Sequence, residues 1–163
     1  MKKAVAYVSD IILGRTGEVI KRSYQAELIR QFAAGNDIEI VAWFEDQMYS
    51  EDVLTRRGIQ DLLAYDAPYD LLLCERVWAL SRSMAVLEPF FKELDRRHLR
   101  LECTTMMWDC VSQKCRRRFY PGGSGRTAPR VAVSRAGADA VHVAKPARLK
   151  FNGIVRHHPK FAH

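Results

Sequence analysis

Four consecutive apolar residues, Leu71-Leu72-Leu73-Cys74, stand between Asp70 and Glu75. In a strand, successive side chains point to opposite faces. An unbroken apolar run bounded by charges therefore predicts a strand, 69–75, that is covered on both sides, as parallel strands are. Three other segments read as strands: KAVAYV at 3–8, IEIVAWF at 38–44, and 99–103. Helical periods lie between them. From Glu18, the residues Ile20, Tyr24, Leu28 and Phe32 recur every fourth position, with Val19, Ile29 and Ala33 beside them, and Gly35-Asn36 offers a stop of positive φ. A short helix over 56–65 turns Ile59, Leu62 and Leu63 inward and breaks at Ala67-Pro68. A third, 84–97, carries Leu87, Phe90, Phe91 and Leu94 on one side, and a fourth is expected over 108–119. This alternation predicts an α/β domain of three layers, with a mostly parallel sheet of four to five strands flanked by helices.

The charge is divided unevenly. Residues 1–113 hold 14 Lys/Arg and 18 Asp/Glu, whereas residues 114–163 hold 12 Lys/Arg and the single acid Asp139. From Pro121 the chain is rich in Gly, Ala, Pro and Arg and has no sustained apolar period. The expectation is a domain over 1–118 and a basic, disordered tail over 119–163 that meets a polyanion. No window has the ~18 uninterrupted apolar residues of a membrane span. The opening MKKAVAYVSDIIL is broken by Ser9-Asp10 and reads as a first strand of a cytoplasmic protein. The four cysteines Cys74, Cys103, Cys110 and Cys115 are expected as reduced thiols, since their spacing fits no zinc knuckle. Neither a metal nor another cofactor is expected.

In a parallel sheet the functional edge lies beyond the strand C-termini. Here that edge gathers Ser9, Asp10, Glu45, Asp46, Glu75 and Arg76. Acids collected in this way also suit a receiver-like module, but Glu75 followed by Arg76 stands where such a module needs its phosphoacceptor. No glycine-rich phosphate loop is present either.

The third strand runs through Trp78 into LSRS (80–83) just before a long amphipathic helix. That segment resembles the serine recombinases, the resolvases and DNA invertases, whose third strand leads into Asp-Arg-Leu-Ser-Arg. The first strand AVAYV with its Tyr7, Gln25 in YQAELI, RRGIQDLL at 56–63 and ELDRRHLRLEC at 93–103 agree in order and spacing. The resemblance covers roughly residues 3–105. It implies DNA as partner, a homodimer or a pairing with another recombinase, and no membrane. It also implies phosphoryl transfer, in which a serine hydroxyl attacks a phosphodiester while arginines hold the charged transition state.

By that resemblance Ser9 and Arg82 are the candidate catalytic residues, and Arg56, Arg76, Arg116, Arg117 and Arg118 the candidate phosphate contacts. The motifs also depart from the family. Where the family has Tyr-x-Arg-Val-Ser, this chain has Tyr7-Val8-Ser9-Asp10-Ile11. In the gapless register, supported by the Tyr7-to-Gln25 interval, Ser9 takes the arginine's place and Ile11 the nucleophile's. A two-residue shift along a strand is about 6.6 Å, large beside the ~3–3.5 Å at which an attacking oxygen must sit. Trp78-Ala79 replaces the family's Asp-Arg, with Glu75-Arg76 three residues earlier. The expectation is a recombinase-family domain with a degenerate cleavage site, or a non-catalytic DNA-binding or dimerising module. Structural roles compete at three positions: Ser9 as a turn cap, Ser81 as the N-cap of the next helix, and Arg56 as a solvated helix-start residue.

Overall fold

The computed structural model describes residues 1–47 and 52–120. The chain runs β1 (Lys2–Ser9), β2 (Ile11–Ile12), β3 (Val19–Ile20), α1 (Arg22–Gly35), β4 (Ile38–Asp46), α2 (Arg57–Leu63), β5 (Leu71–Cys74), α3 (Met84–Arg96), β6 (Arg100–Cys103) and α4 (Cys110–Phe119). Two single 3₁₀ turns, Val53–Thr55 and Val77–Ala79, precede α2 and α3. The main sheet has the order β4-β1-β5-β6, and all of its pairings are parallel. β2 and β3 form a separate antiparallel ribbon. The expected basic tail from Pro121 onward lies outside the described residues.

The apolar runs of β1 and β5 are divided between two cores, as their unbroken character requires. Ala4, Ala6, Val8, Leu71 and Leu73 pack with Ala26, Ile29, Phe32 and Ala33 of α1. Val5, Tyr7, Leu72 and Cys74 face the other way, onto Ile59 and Leu62 of α2, Leu87, Phe90, Phe91 and Leu94 of α3, and Cys115 and Phe119 of α4. α1 therefore covers one face of the sheet and the other helices cover the opposite face, which gives three layers.

Local expectations shift in four places. Val19 and Ile20 belong to the β2–β3 ribbon, so α1 begins only at Arg22. Its buried face is Gln25, Ala26, Ile29, Phe32 and Ala33, while Tyr24 is exposed. The four-residue repeat starting at Ile20 had carried the face one strip too far round. Asn36, the C-cap, has φ −120°, and the left-handed residue is Asp37 at φ 55°. Ser83 occupies the N-cap position of α3, and Ser81 instead accepts a hydrogen bond from the Ser83 backbone N–H at 3.0 Å.

Candidate functional site

β1 and β4 run in parallel register to their ends, so Ser9 lies beside Asp46 at the C-terminal edge of the sheet. Tyr7, two residues earlier, points into the core and its hydroxyl donates to Asp46 Oδ2 at 2.9 Å. The other Asp46 oxygen accepts from the Gly58 N–H at 2.9 Å. Gly58 must be glycine for this approach, because a Cβ there would lie 2.4 Å from the Glu45 carbonyl oxygen. The residue before α2 is Arg56, only 4% exposed. Its guanidinium donates to the Ala79 carbonyl at 2.9 Å, the Leu80 carbonyl at 2.5 Å and the Tyr7 hydroxyl at 3.3 Å. The fully buried Ser9 hydroxyl donates at 2.5 Å to the same Ala79 carbonyl. The 3₁₀ turn Val77–Ala79 thus lies over the end of β1 and receives hydrogen bonds from both. Burial pushes the Tyr7 hydroxyl well above the ordinary tyrosine range, against the opposing pull of Arg56, so it remains protonated. Behind Ser9, the Gln25 amide donates to the carbonyls of Ser9 at 2.6 Å and Ile20 at 2.9 Å.

The acids of this edge are each matched. Asp10 accepts from the backbone N–H of Arg22 at 2.9 Å and pairs with its guanidinium at 3.3 Å, and Arg22 also reaches Glu45 at 3.2 Å. Glu75 is fully buried and takes a two-pronged bond from Arg76, at 2.5 and 2.7 Å. That fork geometry suits a planar guanidinium. Among the described residues no cluster of acids, histidines or cysteines fits a metal ion. All four thiols are free, and burial raises that of Cys74. Cys103 is raised by its hydrogen bond with Cys115 and by burial.

Beyond the 3₁₀ turn, among the described residues, the edge presents exposed side chains. Arg82 is exposed and its guanidinium lies 4.0 Å from the centre of the Trp78 ring, with Arg76 at 5.8 Å from the same ring. The Trp78 side chain lies beside Asp109, which caps α4 through the Ser112 N–H at 3.1 Å and holds the Ser112 hydroxyl at 2.6 Å. Burial pushes the Asp109 carboxyl upward, but the bonds from Ser112 and Trp78 win and bring it below its ordinary value. Next to Asp109, Trp108 is 77% exposed, with the Arg116 guanidinium 6.0 Å from its ring centre. Arg117 is exposed and has no ion pair among the described residues. Arg118 turns inward, pairing with Glu88 at 3.0 Å and Asp95 at 2.7 Å on α3.

The structure therefore brings the sequence-derived candidates together in two groups. Ser9 and Arg56 meet under the Ala79 carbonyl. Arg76 and Arg82 share the Trp78 ring. Arg56 is not a solvated residue, and the Ser9 hydroxyl reaches across the fold instead of capping a local turn. Two participants are absent from the sequence reading, Trp108 and Asp109. An Asp followed three residues later by a hydroxyl residue is a helix-start pattern that would have moved the start of α4 from 108 to 110 and left Trp108 outside it.

The Resolvase N-terminal domain model matches residues 18–117. Among solved structures, the chain is similar to the N-terminal catalytic domain of TP901-1 integrase, at 18% identity and a TM-score of 0.54, over 63% of this chain and 78% of that one. It is similar to the C-terminal catalytic domain of ISC1926 TnpA, an IS607-like serine recombinase, at 15% identity and a TM-score of 0.50, over 69% and 74%. It is also similar to a resolvase family site-specific recombinase from Streptococcus pneumoniae, at 17% identity and a TM-score of 0.50, over 64% and 72%. No curated protein matches the chain. At these identities the structural likeness speaks for the fold, while the family model spans more than half of the chain and replaces the receiver-like alternative. The protein belongs to the resolvase N-terminal domain family, the catalytic-domain family of the serine recombinases.

Proposed function

We propose that this protein binds DNA through the open, arginine-bearing side of its sheet edge and does not cleave DNA at Ser9. One observation carries the reading: the Ser9 hydroxyl is fully buried and donates to the Ala79 carbonyl. An attacking oxygen has to approach phosphorus to ~3–3.5 Å, and a hydroxyl beneath a 3₁₀ turn has no such approach. Arg56, the other inward candidate, already gives its guanidinium to two carbonyls and a hydroxyl. Losing one transition-state donor costs about 10²–10³ in rate, and here nucleophile and donor are both engaged elsewhere. Arg82, Arg116 and Arg117 are left for phosphates. The basic segment from residue 114 adds a sequence-independent attraction. In this reading the domain over 1–118 supplies the shaped surface and 119–163 the polyelectrolyte part.

The test is covalent trapping beside a binding titration. The full chain is incubated with supercoiled plasmid, stopped with denaturant, and examined for a protein–DNA adduct by gel and intact mass, with Ser9→Ala and Ser81→Ala in parallel. The expected result is no adduct, together with DNA retention at low salt that falls steeply as salt rises. An adduct lost in Ser9→Ala alone would sink the proposal and make the protein an active recombinase with a displaced nucleophile.

A further inference from the structure

The open side carries more than charge. Trp78 and Trp108 are neighbours through Asp109, which lies beside the Trp78 side chain and directly follows Trp108 in the chain. Each ring has a guanidinium over it: Arg82 at 4.0 Å for Trp78, and Arg116 at 6.0 Å for Trp108. Arg116 is further steadied by the Met106 sulfur, 3.6 Å from Nη1. Trp108 is 77% exposed and Met106 39%. Trp108 and Met106 thus present an apolar surface directly beside the Arg116 guanidinium. The two guanidiniums of Arg82 and Arg116 outnumber the one carboxylate between the rings, Asp109, so the patch is positive.

We infer that Trp108, flanked by Arg116 and the Arg82–Trp78 stack, is a stacking platform for an unpaired base of a DNA strand. This inference rests on the DNA reading above and adds a mode of contact to it. Aromatic faces interleaved with guanidiniums are what single-stranded nucleic acid requires, since every base has a π-face and every nucleotide a phosphate. A duplex conceals its base faces and would engage the arginines alone. The match in charge favours a polyanion over an apolar protein partner.

The experiment measures fluorescence anisotropy with the full chain at low salt. The probes are a labelled oligothymidine of about 16 nucleotides and a duplex of equal total charge. The variants are Trp108→Ala and Trp108→Phe, each checked for an unchanged thermal midpoint. Trp108→Ala should weaken oligothymidine binding about tenfold and leave duplex binding nearly unchanged, and Trp108→Phe should retain most of the affinity. Equal affinity of the protein and Trp108→Ala for oligothymidine, with duplex still bound, would overturn the platform and leave the patch to a protein partner. Failure to bind either DNA would overturn the DNA reading itself.

Discussion

Arg56 and Arg82 stand on either side of the same 3₁₀ turn, and the resemblance to the serine recombinases made both of them candidates. Arg56 is 4% exposed, and its guanidinium is consumed by the Ala79 and Leu80 carbonyls and the Tyr7 hydroxyl. Arg82 is exposed and, among the described residues, rests only on the Trp78 ring. The same side chain is thus a buried strut on the closed side and an available cation on the open side. What separates them is the supply of acceptors. The turn aims two main-chain carbonyls at Arg56, whereas an aromatic face attracts Arg82 without using up its N–H donors. Family membership therefore does not by itself decide which arginine meets a phosphate.

The contrast can be broken first at Arg56. Arg56→Ala leaves buried carbonyls and the Tyr7 hydroxyl short of a donor, and is expected to cost about 3 kcal/mol. Urea unfolding would show this as a lower midpoint, and an unchanged midpoint would mean that the guanidinium is not structural. Next comes Gly58→Ala. Its Cβ would meet the Glu45 carbonyl oxygen at 2.4 Å and push α2 away from Asp46. Overpacking of this kind costs about 1–3 kcal/mol, and thermal unfolding checks it.

pH should separate the two sides further. Asp109 lies below its ordinary value, so its contribution is present above the unfolded value, ~3.9, and is lost as pH falls through the folded one. Tyr7 lies above its ordinary value, so its contribution is present below ~10 and is lost as pH rises. Acid thus acts on the open side and alkali on the closed side. Between pH 7 and pH 3 the protein should lose more stability than Asp109→Asn, which keeps a cap but does not titrate. Superimposable acid profiles would show that the Asp109 charge does not support α4. The smallest effect on stability belongs to Arg82→Ala, within about 0.5 kcal/mol. Its signature is in binding: the slope of log affinity against log salt should decrease by about one. A large loss of stability there would mean that the open side is as structural as the closed one.

The layers of the fold were legible in particular runs of sequence. Leu71–Cys74 could be apolar on consecutive residues only if both faces were covered, and the alternation of Leu71 and Leu73 with Leu72 and Cys74 between the two cores is that reading realised. Leu87, Phe90, Phe91 and Leu94 named the buried face of α3 in the same way. Periodicity failed at Ile20 because two apolar residues in a ribbon imitate the first turn of a helix. The edge that collects Ser9, Asp46 and Glu75 follows from parallel topology alone.

The sequence by itself determined the three layers, the family, and which residue types would lie at that edge, because burial patterns and motif spacing are local properties of a chain. Only the tertiary structure decided which of those residues remain available. The Ala79 carbonyl comes from a turn 70 residues beyond Ser9. The distribution of hydrogen bonds there depends on how that turn closes over β1, and no local pattern encodes the closure. The exposure of Trp108 and the inward turn of Arg118 have the same origin. Each is set by which neighbouring element reaches a side chain first, the α3 carboxylates in the case of Arg118 and, among the described residues, none in the case of Trp108's outer face.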